Sequence, residues 1–199
     1  MLAIGAHPDD IELGCGGSLA KLAKAGVNVH AVVLCDGRHG AAAGHNRCGE
    51  SAQALELLGV GRVVQADFTD TQLASSFGDI VRTIEHECTR VKPDRVYTMF
   101  KDDRHQDHRT AFEASIVACR RVPQVLCYET PSSWPNFVPQ MFEDITECLD
   151  TKIAAIRCHA SQKERHYMQH DEIHSLARFR GQQVVAGPSE GFVLYKFIL

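Results

Sequence analysis

Three ionisable side chains follow directly on the first apolar segment of the chain. Residues 2–6 are short and apolar, as expected for a buried central strand, and Pro8 prevents that strand from continuing. His7, Asp9 and Asp10 stand at this exit. An imidazole and two carboxylates can bind a divalent metal or transfer protons, and they are costly at a strand end without such a use. The stretch therefore predicts a turn that binds a metal or takes part in acid–base chemistry.

A second set of such side chains follows a later apolar segment. Residues 94–100 are typical of another buried strand, and the polar stretch after it carries His105, Asp107 and His108. In a doubly wound parallel sheet with the order 3-2-1-4-5, strands 1 and 4 are neighbours, and ligands bind in the crevice between them. If the two segments are these strands, the two clusters are expected to meet at one site.

The elements that must position these residues alternate along the chain. Further strands are predicted over 28–35, 62–66, 124–128, 142–145 and 192–197. Helices are predicted over 17–25, 50–58, 77–91, 110–121, 151–160 and 164–178. This alternation predicts an α/β fold: a Rossmann-like, doubly wound, mostly parallel sheet flanked by helices, in one domain over residues 1–199. The loops 36–48 and 130–140 are expected to border the pocket.

Five short motifs occur in a fixed order. They are Ala-His-Pro-Asp-Asp at 6–10, Arg-x-x-Glu at 47–50, His-x-Asp-His at 105–108, His-x-Ser-Gln at 159–162 and a closing stretch over 179–192. In this order they resemble the PIG-L/LmbE family of zinc-dependent N-deacetylases. The resemblance covers nearly the whole chain and implies the same α/β fold.

The resemblance also implies roles for single residues. It implies that one zinc ion is held by His7, Asp10 and His108, with another divalent metal left open. Asp9 would stand free beside the metal water as a general base. His105 would hold the oxyanion or protonate the leaving amine, and Asp107 would fix its tautomer and keep it cationic.

Three further residues carry two interpretations each. The resemblance makes Arg47 a substrate contact, but a surface arginine at a helix start is the alternative. Glu50 is either a site residue or a carboxylate at a helix N-terminus. His159 either faces the site or caps its helix.

The chain departs from the family at two places. Some relatives have a tyrosine, assigned to oxyanion stabilisation, where this chain has Asp103. That role is then expected to fall to His105 or another group. An Asp-Gly pair near position 70 is replaced by Asp70-Thr71, which leaves the shape of the substrate loop open.

Two other patterns point to different chemistry and are weaker. Glycines at 14, 16 and 17, with Asp36 after the second strand, faintly resemble the dinucleotide fingerprint Gly-x-Gly-x-x-Gly. However, seven residues separate these glycines from the first strand, and the last glycine of the fingerprint is replaced by Leu19. The stretch 170–174, His-Asp-Glu-Ile-His, departs from the zinc motif His-Glu-x-x-His because Asp171 follows the first histidine. A solvated helix face or an adventitious metal site is expected there.

Composition excludes several classes of protein. The chain has 199 residues, 44% hydrophobic and 23% charged, with a net charge of −4. The negative charge gives no indication of nucleic-acid binding, which favours a basic face, and no apolar run approaches the length of a transmembrane helix. Because a strand is predicted at the very start, no signal peptide is expected, and neither is a membrane location, so a soluble, cytoplasmic protein is the expectation. Its eight cysteines form no C-x-x-C pair and are expected to be reduced thiols.

Together these features predict a zinc hydrolase that removes the acetyl group from an N-acetylglucosamine-type sugar or its conjugate. The alternatives are an amidase of another small amide, such as a thiol conjugate, and a sugar- or nucleotide-binding module without chemistry. Many members of the family assemble, which leaves a homo-oligomer open. The pattern does not name the aglycone, and the segments 39–44 and 130–140 are expected to select it.

Overall fold

A single mixed sheet carries both predicted clusters. The computed structural model describes residues 1–40 and 45–199, and the strands within these ranges form one seven-stranded sheet with the order β3-β2-β1-β4-β5-β7-β6. The strands are β1 (Leu2–Gly5), β2 (His30–Cys35), β3 (Arg62–Phe68), β4 (Arg95–Met99), β5 (Gln124–Tyr128), β6 (Met141–Asp144) and β7 (Ser189–Phe197).

The first five strands are parallel, and the predicted order 3-2-1-4-5 is confirmed. The strand β7 then pairs antiparallel with both β5 and β6 at the far edge. All four residues of β1 are buried, because a central strand covered on both faces reads as a continuous apolar run. The neighbouring positions of β1 and β4 bring their carboxyl ends together, as the prediction requires.

Six α-helices of the described chain flank this sheet. They are α1 (Asp10–Lys24), α2 (Arg47–Leu57), α3 (Phe77–Val91), α4 (Gln106–Ala118), α5 (Leu149–Arg157) and α6 (His170–Gln182). One group packs α1 and α2 with α5, and the other packs α3 with α4, as expected for helices on two faces. None of these helices combines the length and the apolar content needed to cross a membrane.

The first helix begins earlier than the glycine-rich sequence predicts. It starts at Asp10 rather than Gly17, and Cys15 (φ −143°) interrupts its regular geometry. A Cβ at Gly14 would overlap the ring of Tyr128, and one at Gly17 would lie 2.6 Å from Ile145 Cδ1. These glycines therefore allow close packing, and the dinucleotide interpretation has no structural support.

The chain between α5 and α6 differs from the predicted helix over 164–178. It contains two short 3₁₀ turns, Ala160–Gln162 and His166–Met168, before α6 begins at His170. His170 is exposed and pairs with its neighbour Asp171 (Nδ1–Oδ1 2.9 Å), which agrees with the predicted solvated face.

The loop predicted over 36–48 contains a 3₁₀ turn at Arg38–Gly40, while residues 41–44 of the proposed selectivity segment lie outside the described residues. All eight cysteines are free within the part of the chain that is described, in agreement with the predicted thiols.

Candidate active site

The site is built from two turns at the carboxyl ends of β1 and β4. The first turn leads into α1, so that Asp10 is its first helical residue. The second turn leads into α4, where His105 is the N-cap and His108 lies in the first helical turn. Each turn therefore leads from the carboxyl end of a strand into a helix N-terminus, which fixes the backbone that carries these side chains.

Three side chains from these turns form a triangle of possible metal ligands, in which a different carboxylate oxygen of Asp10 faces each histidine. His7 Nδ1 lies 3.3 Å from His108 Nε2 and 3.4 Å from Asp10 Oδ2, and His108 Nε2 lies 3.3 Å from Asp10 Oδ1. Ligands placed tetrahedrally about 2.0–2.1 Å from a zinc ion are roughly 3.3–3.4 Å apart. The spacing of these three groups therefore fits a zinc ion with a fourth position left open.

Carboxylates lie behind both histidines of the triangle. His7 Nε2 contacts Asp70 Oδ1 and Asp107 Oδ2, each at 3.2 Å, and His108 Nδ1 contacts Asp103 Oδ2 at 3.1 Å. Histidines that bind metals usually donate their other ring N–H to such a carboxylate, which orients the ring and raises its basicity. The arrangement supports metal binding independently of the triangle.

The expected contact between the carboxylate of Asp107 and His105 is not made. Besides His7, this carboxylate accepts hydrogen bonds from the backbone N–H groups of Thr71 (2.7 Å) and Leu73 (3.2 Å). These donors draw the side chain towards the segment after β3 and away from His105. Asp107 is therefore a partner of His7, which is a correction to the role inferred from the motif.

The electrostatics of the cluster favour a cation. Burial alone would lower the pKa of His7 and of His108, but their carboxylate partners raise both, His108 to about 9. Burial likewise opposes ionisation of Asp10 and Asp103, but the histidines hold the pKa of Asp10 well below its usual range and lower that of Asp103 to about 2. Four carboxylates around two imidazoles leave an excess of negative charge that a divalent cation neutralises.

Two groups of side chains have possible metal-ligand atoms that all lie within 4.8 Å of one another. One combines His105 with His7 and His108, and the other combines His7 with Cys35 and Asp70. His105 is half-exposed, and its ring stacks against that of His108 with centroids 4.7 Å apart. The ring of His105 is therefore at the edge of the triangle and open to the cavity.

Asp9 occupies a strained position beside the triangle. Its φ of +107° lies in a region that residues other than glycine rarely adopt. Arg47 fixes this turn by donating from Nη2 to Asp9 Oδ2 (3.0 Å) and to Pro8 O (2.6 Å). Burial and the neighbouring Asp10 raise the pKa of Asp9 to about 6, while Arg47 opposes the rise. A carboxylate with that pKa can both accept and return a proton near neutral pH.

The neutral ring of His105 carries its proton on Nε2 and can donate a hydrogen bond from that atom. Its Nδ1 accepts the backbone N–H of Asp107 at 3.2 Å, so the proton of the neutral ring is on Nε2. Burial, and then the positive charges of His7 and His108, lower the pKa of His105. The expectation that Asp107 keeps this ring cationic stays a prediction that the geometry does not support, because the carboxylate of Asp107 contacts His7 instead.

Arg47 is buried, which excludes the alternative of a surface arginine at a helix start. Its guanidinium also donates to Gly37 O at 2.7 Å, so its fork is largely occupied by protein groups. It still lines the cavity over the metal triangle. A substrate contact through Arg47 stays a prediction, but its visible contacts hold the turn that carries Asp9.

The remaining motif residues form a structural clamp. Glu50 accepts hydrogen bonds from Ser161 N (2.9 Å) and Ser161 Oγ (2.5 Å), which ties α2 to the segment after α5. His159 is 1% exposed, and its Nε2 lies 3.0 Å from Oε1 of the buried Glu12. The open question about these two residues is thus answered by geometry, because both brace α1 and α2 from behind the site.

A cavity of about 300 Å³ opens above these groups. Its wall includes His39, Thr71 and Arg165, and the loop 130–140 contributes Pro131 and Ser132 but not Trp134, which is exposed. The loop therefore borders the pocket only at its beginning.

Sequence reasoning missed the structural part played by Asp70, Asp103 and Glu12. The first two were visible only as departures from a family pattern, although a metal-binding histidine needs a carboxylate behind it. Glu12 was hidden because its partner is far away in the chain.

Comparison with known proteins agrees with the geometry. The family model described as "PIG-L: GlcNAc-PI de-N-acetylase" matches residues 2–119. The uncharacterised deacetylase YaiS of Escherichia coli is 46% identical over 167 residues, covering 81% of this chain and 90% of that protein. Diacetylchitobiose deacetylase of Thermococcus kodakarensis is 29% identical over 190 residues, covering 81% of this chain and 69% of that protein. A conserved protein of Thermus thermophilus has a similar structure, with a TM-score of 0.87, 26% identity and coverage of 100% and 95%.

Proposed function

This chain belongs to the PIG-L family of deacetylases, and we propose that it uses zinc to remove the acetyl group from an N-acetylglucosamine-type amino sugar or its conjugate. The family description and the name of the chitobiose deacetylase both specify N-acetylated sugars, which supports this substrate class. The observation that carries the proposal is the triangle of donor atoms with carboxylates behind it. A binding module without chemistry has no use for that arrangement or for the proton-transfer groups beside it.

The proposed metal ligands are His7, Asp10 and His108, and the spacing of their ligand atoms supports this choice. A zinc ion supplies Lewis-acid polarisation and lowers the pKa of water to about 7. Asp70 and Asp107 orient His7, and Asp103 orients His108, by accepting the ring protons on the far side.

Asp9 is the general base of the proposed reaction. Its carboxylate removes a proton from the attacking water as the new C–O bond forms at the amide carbon. The same carboxyl group, once protonated, returns the proton to the amine nitrogen as the C–N bond breaks, which gives acetate and the free amine. A pKa of about 6 suits both transfers, and Arg47 holds the carboxylate in place for them.

His105 stabilises the negative charge that develops on the carbonyl oxygen. Its neutral ring presents Nε2–H to the cavity, and a donor aimed at a developing oxyanion contributes to catalysis without a change in protonation. Of the two roles inferred from the resemblance, the tautomer and the lowered pKa favour this one. His105 also takes the place of the tyrosine that some family members carry at position 103.

Metal analysis and a substrate panel test the proposal. The purified protein is expected to hold about one zinc per chain, and His108→Ala is expected to lose it. His170→Ala is the matched control, because it removes an exposed histidine from α6 and should leave the metal content unchanged. Retention of zinc by His108→Ala would refute the ligand assignment.

The panel consists of N-acetylated amino sugars assayed for released acetate, with N-acetylated amino acids and thiol conjugates beside them. Acetate from the sugars, and none from the other amides, is the expected result. Cleavage of the thiol conjugates alone would make the chain an amidase of another class.

A further inference from the structure

A second cavity, of about 240 Å³, adjoins the candidate active site. Leu13, Pro131 and Tyr167 line both cavities, so the two cavities are immediate neighbours. We propose that this second cavity is a subsite for an apolar aglycone on the amino sugar. The inference rests on the proposed function, because it assigns the part of the substrate that extends beyond the sugar ring.

The charged groups around the second cavity are already paired. Arg180 donates to Glu129 Oε1 and Oε2 at 2.7 and 2.6 Å. Lys152 Nζ lies 2.5 Å from Glu190 Oε1 and also donates to Leu13 O. An ionic ligand would have to break such buried pairs, so the subsite favours an uncharged one.

The third pair at this cavity, His166 Nε2 and Glu172 Oε1 at 3.0 Å, is exposed and sits at its outer side. Among the described residues that line the cavity, every acidic or basic side chain therefore has an oppositely charged partner.

Apart from Thr130 and Ser189, the uncharged part of the lining is mostly apolar, and the cavity is large enough for a ring. The helix α6 presents Ile173, Leu176 and Ala177 to the cavity. A cavity of about 150 Å³ with apolar walls is enough to hold benzene, so this one accommodates a phenyl group or a short alkyl chain. Leu176 is 43% exposed, and a bound apolar group would cover its side chain.

The aglycone is the part of the substrate that fits this position. In the proposed reaction the acyl group is an acetyl, whose single methyl needs little room beside the amide. The sugar hydroxyls find polar partners on the other wall of the site cavity, at His39, Asp70 and Arg165. The second cavity, which Leu13 and Tyr167 also line, is then available for the substituent on the sugar ring.

The experiment compares methyl and phenyl glycosides of N-acetylglucosamine, each as both anomers. One phenyl anomer is expected to have a kcat/KM about tenfold or more above its methyl counterpart, mainly through a lower KM, because the ring is removed from water. Leu176→Glu should abolish this preference while the methyl glycoside reacts as in the wild type. Val117→Glu is the matched control, since Val117 is also 43% exposed but lies on α4, and it should keep the preference.

The outcomes separate this inference from the function on which it rests. Acetate released from methyl and phenyl glycosides with equal kcat/KM would overturn the subsite and leave the deacetylase proposal standing, and so would a preference that survives Leu176→Glu. A preference for N-hexanoylglucosamine without any aglycone effect would assign the cavity to an acyl chain and overturn the inference. Release of acetate from none of these sugars would refute the proposed function itself. Circular dichroism of both variants shows that they are folded.

Discussion

The two turns that build the site are held by different kinds of contact. The turn after β1 is fixed by buried charges from distant parts of the chain: Arg47 on Pro8 and Asp9, and His159 on Glu12. The turn after β4 is fixed by hydroxyl and backbone donors to the Asp103 carboxylate, namely Thr130 Oγ1, Ser132 Oγ and the backbone N–H of His105. An arginine of the adjoining helix also contributes, because Arg109 donates to the carbonyl oxygens of Asp103 and Arg104.

The difference follows from the backbone of each turn. Asp9 has a positive φ, and such a conformation costs on the order of 1–3 kcal/mol unless its surroundings enforce it. His105 is in an ordinary extended conformation at its N-cap position and needs no such support. Buried charges from distant parts of the chain thus support the strained turn, whereas hydroxyls and an arginine of the adjoining helix support the relaxed one.

The largest effects are expected at the strained turn, where two adjacent aspartates have different roles. Asp9→Asn should keep zinc and lower kcat by about 10² to 10⁴, the usual contribution of a general base. Asparagine tolerates a positive φ, so the backbone should be preserved. Asp10→Asn should weaken zinc binding, and added zinc should restore part of the activity.

A metal titration and a rate assay of both variants distinguish the two aspartates. Zinc loss in the Asp9 variant together with zinc retention in the Asp10 variant would reverse the assignment, and zinc retention in both would move the metal elsewhere.

The second prediction compares the carboxylates behind the two histidines. On the side away from the proposed metal, the ring of His108 contacts one carboxylate among the described residues, that of Asp103. The ring of His7 contacts two on that side, those of Asp70 and Asp107. Asp103→Asn is therefore expected to weaken zinc binding by about 10- to 100-fold, and Asp70→Asn by less. Competition with a chromophoric chelator measures both affinities. A larger loss in the Asp70 variant would contradict this ranking.

The third prediction concerns the buried pair that supports the strained turn from behind. Burial alone would lower the pKa of His159, but the hydrogen bond and charge of Glu12 raise it above its ordinary value. The pair therefore contributes fully below about pH 6.5, the pKa of an unfolded histidine, and its contribution is lost as the pH rises through the raised pKa.

His159→Asn should lower the free energy of unfolding by about 2 kcal/mol at pH 5.5, and the difference from the wild type should shrink towards pH 9. Urea denaturation across this range measures it. His166→Asn is the control, because its pair with Glu172 is exposed and should contribute little. A difference independent of pH would show that the pair is not ionic.

The contrast between the turns also explains what the sequence could predict. Short apolar runs followed by polar clusters are local patterns, so the strand order and the meeting of His7 with His108 could be predicted. The direction of Asp107 could not, because adjacency to His105 says nothing about the donors at Thr71 and Leu73 that attract its carboxylate.

Long-range packing accounts for the other differences. The partner of Glu12 is 147 residues away, and the contact depends on how the end of α5 lies against α1. The early start of α1 depends on the positive φ of Asp9, which no apolar periodicity signals. The supports of the strained turn, Arg47 and His159, stand in the short motifs, but the side chains that they contact are 38 and 147 residues away, so the motifs alone could not show what these two residues hold.

The smallest effect is expected at the relaxed turn. Ser132 Oγ donates to Asp103 Oδ1 at 2.6 Å and lies 3.2 Å from His108 Nδ1. In Ser132→Ala the carboxylate keeps Thr130 Oγ1 and the N–H of His105 as donors, so the loss should be about 1 kcal/mol of unfolding free energy and no more than about fivefold in zinc affinity. Ser75→Ala removes a comparable hydroxyl bond, to Gln72 O, away from the metal ligands, and should leave zinc affinity unchanged. If Ser132→Ala instead lost zinc as severely as Asp103→Asn, the neutral contacts would be as important as the charged ones, and the distinction between the two turns would not hold.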